Sequence, residues 1–287
     1  MEIGISTFVW VSPFATRSFD ILYKAKEIGY DVIEIAVEDR DLIDWSTLKR
    51  TSRDLDLKIS VSGAFGMERD ISSNQPEIRA NGLSYIVDCL EIADELGSPV
   101  FGGPLYSAVG KTRLVSEDQK IQERQWCLDN LHKAARRAEE LGVILALEPL
   151  NRFETDMVNT VGQAISMVDE VGSRYLKILL DTFHSNIEEK NIPASIRKLG
   201  SRLVHVQANE NDRGTPGTGH TDWTGIREAL DDIGYQGSMV IETFGAPSKE
   251  LARAASIWRP LANSPDELAR EGFAFLKHTF CEKAEQI

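Results

Sequence analysis

Little in this sequence is suited to cross-linking, to crossing a membrane or to cradling phosphate. Cysteine occurs three times in 287 residues, at Cys89, Cys127 and Cys281, an odd and widely spaced set with no C-x-x-C pair. That argues against a disulfide framework and against a cysteine zinc site, and fits thiols kept in a reducing cytoplasm. No apolar run approaches the ~18 residues of a membrane span. The N-terminus, Met1-Glu2-Ile3-Gly4-Ile5-Ser6, lacks the basic-then-apolar order of a signal peptide. The expectation is a cytoplasmic protein with no membrane partner. Basic residues are in deficit, with 32 Lys and Arg against 45 Asp and Glu and a net charge of −13. Such a surface repels phosphate backbones, which excludes nucleic acid as a partner and leaves neutral polyols and cations. The first turn after a strand has no G-x-G-x-x-G, and no Walker loop occurs, so dinucleotide and nucleoside-triphosphate folds are disfavoured.

What is present is an alternation. Short apolar runs at 2–7, 31–37, 57–64, 98–104, 143–149, 176–182, 203–209 and 237–243 read as strands. Longer amphipathic stretches near 17–29, 44–55, 75–97, 116–141, 160–172, 191–200, 223–234 and 262–282 read as helices. Many strands are near-continuous Val/Ile/Leu, as expected when both faces of a parallel sheet are covered. Gly29, Gly97, Gly142, Gly200 and Gly234 each follow an apolar residue just before a strand, where a helix closes on a left-handed glycine. With no linker or composition shift, residues 1–287 read as one domain, a (β/α)8 TIM barrel, a fold whose usual length is about 250 residues.

In such a barrel, chemistry gathers at the C-terminal strand ends. Glu148 ends Val143–Leu147, Asp181 ends Ile178–Leu180, Glu242 ends Met239–Ile241, and the seventh run closes on Gln207-Ala208-Asn209-Glu210. Three carboxylates behind apolar runs on strands five, six and eight would repel one another when buried, and a divalent cation resolves that conflict. Glu154, His184, Glu210, Arg213 and His220 are expected in the loops directly after these strands. His132 and His278 read instead as surface or packing residues.

These motifs resemble the xylose isomerase-like barrels, specifically the ketose 3-epimerase branch that acts on D-tagatose, D-allulose and L-ribulose, with the C-glycoside deglycosidases as a close relative. The resemblance spans essentially the whole chain. It rests on Glu148-Pro149-Leu150-Asn151-Arg152-Phe153-Glu154, Leu180-Asp181-Thr182-Phe183-His184, the stretch from Glu210 to His220, and Ile241-Glu242-Thr243-Phe244. It implies Glu148 and Glu242 as catalytic carboxylates, and Glu154, His184 and Arg213 as substrate contacts. Phe8 and Trp10, at the end of the first strand, face either the sugar or the core. It also implies a metal held by Glu148, Asp181, Glu242 and a strand-seven histidine, for which this chain has Gln207. His205 shares a strand face with Gln207 but sits ~6.5 Å deeper. Gln207 is therefore expected to bind through its amide oxygen, making an all-oxygen site suited to Mn²⁺, or to Mg²⁺ or Co²⁺. The implied reaction is proton abstraction beside the carbonyl of a keto sugar, through an enediolate, at C3. β-Elimination from a 3-oxo glycoside, with a small partner subunit, is one alternative, aldose–ketose isomerisation another, and a non-catalytic sugar-binding barrel a further one. A homo-oligomer, dimer or tetramer, is expected.

Overall fold

The computed structural model describes residues 1–281. Eight strands pair in parallel in sequence order and close on themselves. They are β1 (Glu2–Ser6), β2 (Val32–Val37), β3 (Lys58–Gly63), β4 (Val100–Gly103), β5 (Ile144–Leu147), β6 (Leu176–Asp181), β7 (Leu203–Gln207) and β8 (Ser238–Ile241). The ring is completed by β1 against β8, with Ile3 beside Met239 and Ile5 beside Ile241. The helices are α1 (Asp20–Ile28), α2 (Trp45–Asp54), α3 (Pro76–Leu96), α4 (Glu117–Leu141), α5 (Val161–Val171), α6 (Thr182–Glu188), α7 (Ile192–Leu199), α8 (Trp223–Asp232), α9 (Lys249–Ala254) and α10 (Pro265–Cys281). No helix among the described residues is long and apolar enough to cross a membrane.

All eight expected strands are present, each trimmed at one or both ends. Eight helices match the expected stretches; residue 282 of the last one lies outside the described residues. Helices α6 and α9 were not anticipated. The first arises because Asp181 ends β6 and also caps the next turn, its Oδ1 accepting from the Phe183 and His184 amides. His184 thus stands on a helix rather than in a loop. At the helix ends, Gly97 and Gly142 adopt φ of 73° and 74° and receive the last turns of α3 and α4. Gly200 differs, pairing φ 54° with ψ −133° and leading into a single 3-10 turn.

Strand alternation divides the core in two. Ile3, Ile5, Ile33, Ile35, Leu145, Leu147, Ile178, Leu180, Met239 and Ile241 face outward and join the helices in the main hydrophobic cluster. The barrel interior holds a much smaller apolar group, Val100, Ala146 and Leu179. Gly102 belongs there too, since a Cβ at that position would lie 2.7 Å from Leu179 Cδ1.

One irregularity decides what strand β7 contributes. Ile178 pairs with Leu203, yet Leu179 pairs with His205 and Asp181 with Gln207, so Val204 is an extra residue on β7. Side-chain direction has period two, and a one-residue slip exchanges the faces. Were β7 to continue from Leu203 without the bulge, the residue opposite Asp181 would be Val206, and Gln207 would point to the helices. The bulge turns His205 and Gln207 into the barrel.

Candidate active site

The carboxylates of Glu148 and Glu242 stand one residue beyond the ends of β5 and β8, with Asp181 the last residue of β6. All three are buried, at 4%, 7% and 1% exposure, so water cannot screen them. A cavity of about 520 Å³ opens over them at the C-terminal end of the barrel. Phe8, Glu148, Glu154, His184, Arg213 and Glu242 line its floor, while Phe65, Met67, Phe244 and Leu251 make part of its apolar wall. Because β5 and β8 are three places apart in the ring, Glu148 and Glu242 enter from different sides.

Arg213 is held by a rigid frame. Its Nη1 donates to Glu154 Oε1 at 2.9 Å, and Asn151 Nδ2 donates to the same oxygen at 3.0 Å. The guanidinium lies between the rings of Phe183 and Phe244, 4.6 Å from each centroid. Its backbone takes φ 66°, unusual for a residue with a side chain, and the Thr243 hydroxyl donates to its carbonyl. The Glu154 carboxyl is lowered: burial pulls it up, but the Arg213 charge and its hydrogen bonds outweigh that.

His184 has its tautomer fixed by the backbone. Asn151 N–H donates to Nδ1 at 3.0 Å, which leaves the proton of the neutral ring on Nε2. Burial lowers the pKa of His184, in keeping with a neutral imidazole. Nε2 lies 3.6 Å from Glu148 Oε1 and 3.1 Å from Arg213 Nη2. With the proton on Nε2, His184 and Arg213 are two donors facing each other, a contact that an oxygen acceptor between them would relieve.

The three carboxylates are mutually unfavourable. Glu148 is raised well above the usual carboxyl range by burial, then by the charges of Glu242 and Asp181. Glu242 is raised likewise by burial, then by Asp181 and Glu34. Burial also raises Asp181, against the pull of His184, Arg213 and two backbone amides. A dication placed among them would reverse these penalties. Ligand atoms of Glu148, Asp181 and His184 lie within 4.8 Å of one another, close enough to share one ion. The His184 Nε2, however, carries the proton and has no lone pair to give. Gln207 offers a better donor: it is buried, its Nε2 is engaged by Glu34, and its Oε1 has no partner. An orphaned buried amide oxygen is costly unless something binds it. Glu148, Asp181, Glu242 and Gln207 could therefore hold a hard divalent cation.

Other singled-out residues go elsewhere. Trp10 does not face the cavity: its indole N–H donates to Asp266 of α10 at 2.8 Å and its ring joins the main core, whereas Phe8 does line the cavity. Glu210 organises the loop after β7, accepting from the Asn211, Gly217 and Thr221 amides and from the Trp223 indole. Against the upward pull of burial, hydrogen bonds from Thr221, Trp223 and the backbone hold it at about 2. His220 is exposed. His205 is engaged with Glu34, 2.7 Å from Nε2 to Oε2. Glu34 is a residue that the strand-end rule passes over. It sits in the middle of β2, 1% exposed, in a strand buried throughout. The signal is there, a lone carboxylate inside Val32–Val37, but it lies short of the strand end, where the rule applies.

Comparison with known proteins agrees with the fold. The family model described as "Xylose isomerase-like TIM barrel" matches residues 22–279. D-psicose 3-epimerase of Ruminiclostridium cellulolyticum is 33% identical over 283 residues, covering 96% of each chain. L-ribulose 3-epimerase of Mesorhizobium japonicum is 31% identical over 280 residues, covering 96% of this chain and 93% of its own. The crystal structure of D-psicose 3-epimerase with D-tagatose from Clostridium cellulolyticum H10 superposes with a TM-score of 0.89 at 30% identity, covering 98% of this chain and 99% of that one.

Proposed function

The chain belongs to the xylose isomerase-like TIM barrel family, and from that premise we propose that it is a divalent-metal-dependent ketose epimerase that inverts C3 of a small keto sugar. The observation that carries the reading is the pair of buried carboxylates, Glu148 and Glu242, entering one cavity from different sides of the barrel. The relatives named as ketose 3-epimerases support C3 as the carbon.

Glu148, Asp181, Gln207 and Glu242 are the residues that would hold the cation, with Mn²⁺ favoured by the all-oxygen set. When bound, such an ion supplies Lewis-acid polarisation of a carbonyl and its neighbouring hydroxyl. The remaining work falls to side chains of this chain. One of Glu148 and Glu242 removes the proton from the carbon next to the carbonyl, and the other returns one to the opposite face, which inverts the centre. In the metal-free protein burial and mutual repulsion raise both carboxyls; a bound dication would lower them again, so that one can stay ionised to take the proton. His184 Nε2–H and Arg213 Nη2 donate to sugar oxygens, and Glu154 keeps the guanidinium in place. Phe8 and Phe244 give the sugar an apolar flank and limit the entry of water.

The test is exchange. Mn²⁺-loaded protein incubated with a panel of ketoses in D2O should place deuterium at C3 and yield the C3 epimer. A panel with neither exchange nor epimer overturns the proposal. Release of an aglycone from a 3-oxo glycoside, without ketose exchange, would replace it by elimination.

A further inference from the structure

Glu34 enters the barrel from β2, at the level of Glu242. Ser6 of β1 pairs with Glu34, and its neighbour Ile5 pairs with Ile241. Both of its carboxylate oxygens are spoken for from across the interior by strand β7. Oε1 accepts from Gln207 Nε2 at 3.0 Å, and Oε2 faces His205 Nε2 at 2.7 Å. All three side chains are 1–2% exposed.

A side-chain amide has a donor end and an acceptor end, and in a buried site the neighbours choose between them. A carboxylate only accepts, so Glu34 admits Gln207 in one orientation, with its NH2 inward and its Oε1 turned away. That Oε1 is the atom without a partner. We propose that Glu34 is a positioning residue, which holds the Gln207 amide so that oxygen, not nitrogen, is presented to the cation site. His205 contributes by pinning the second Glu34 oxygen, so that the carboxylate cannot swing away. The proposal rests on the reading that Glu148, Asp181, Gln207 and Glu242 hold a divalent cation. It differs from a plain charge effect, since Glu34 also adds a negative charge near Glu242.

The two roles are separable by metal titration, read from free Mn²⁺ by electron paramagnetic resonance, with no substrate present. Partners that orient metal ligands typically govern affinity by about 10–100-fold. Glu34→Gln lets the amide pair turn over, and should weaken Mn²⁺ binding by about that factor. In a Gln207→Leu background the same change should alter affinity less than about threefold, because the group being positioned is gone. Glu34→Asp keeps the charge but shortens the reach by one methylene, and should weaken binding like Glu34→Gln. It also serves as the decisive variant if Glu34→Gln fails to fold, which the melting temperature of the metal-free protein reports. An undiminished Glu34→Gln effect in the Gln207→Leu background, or wild-type affinity in Glu34→Asp, shows charge alone and overturns the assignment. Unchanged affinity in Glu34→Gln also overturns it. A wild-type protein that takes up no Mn²⁺ removes the metal reading and this role with it.

Discussion

Glu242→Gln should disable the enzyme and stabilise the metal-free protein. In the wild type, the Glu242 carboxyl is buried beside Asp181 and Glu34, and is raised well above its ordinary value. For a raised carboxyl the native state holds its proton longer than the unfolded chain does. The penalty is therefore absent below the unfolded pKa of about 4.3, and complete above the raised native value. Each tenfold gain in proton affinity on folding costs about 1.4 kcal/mol of stability once the group is ionised. For a chain of this size that is roughly 3–5 °C of melting temperature. Glutamine has no charge to bury. Its removal of one repulsion also lowers the neighbouring Glu148, for which Glu242 is the largest cause after burial. Melting in EDTA should thus show Glu242→Gln above the wild type by at least about 3 °C at pH 8, with the gap closing toward about pH 4. Turnover in Mn²⁺ should fall by about 10³-fold, because a proton carrier and a charge at the cation are lost together. A variant that melts below the wild type in EDTA at pH 8 refutes the electrostatic account, and near-normal turnover refutes the catalytic one.

Three further outcomes follow from the same geometry. Gln207→His keeps a neutral ligand but replaces amide oxygen by ring nitrogen, so metal titrations should show tighter binding and a shift toward Co²⁺, Ni²⁺ or Zn²⁺; an unchanged ranking would mean that residue 207 does not touch the ion. Arg213→Ala removes the proposed sugar donor and the cation paired with the buried Glu154, 2.9 Å away. KM should rise about tenfold, more than kcat falls, and an equal loss in kcat with unchanged KM argues against ground-state binding. Lys111 is buried between Asp70, at 2.7 Å, and Glu123, at 3.2 Å. Lys111→Met takes the cation from Asp70, which keeps only the Ser72 donors, while Glu123 retains Arg113; urea unfolding should report a loss of about 3–5 kcal/mol with a KM near that of the wild type.

The barrel and the candidate residues differ in how far the sequence alone reveals them, and β7 shows why. Periodicity, apolar runs and glycine punctuation are local, so the eight strands and eight of the helices could be read directly. Strand-end carboxylates could be found by the same local rule, since Glu148, Asp181 and Glu242 each interrupt an apolar run at a predictable place. Gln207 is different. In a perfect register with β6 it would face the helices, and only the extra residue at Val204 turns it inward. A bulge is a property of two strands together, and Leu203-Val204-His205-Val206-Gln207 gives no sign of it. Glu34 was hidden for the converse reason: a carboxylate in mid-strand is ordinarily a mistake in a core, and becomes intelligible only once His205 and Gln207 are seen to reach it across the barrel. The same bulge therefore places Gln207 beside Asp181 and supplies Glu34 with both of its partners. Deleting Val204 removes only the extra residue, so Leu203 still meets Ile178 while His205 and Gln207 still meet Leu179 and Asp181; both side chains should stay inward, and Mn²⁺ affinity should stay near that of the wild type. A deletion variant that folds but loses Mn²⁺ affinity would show that β7 does not keep this register once the extra residue is gone.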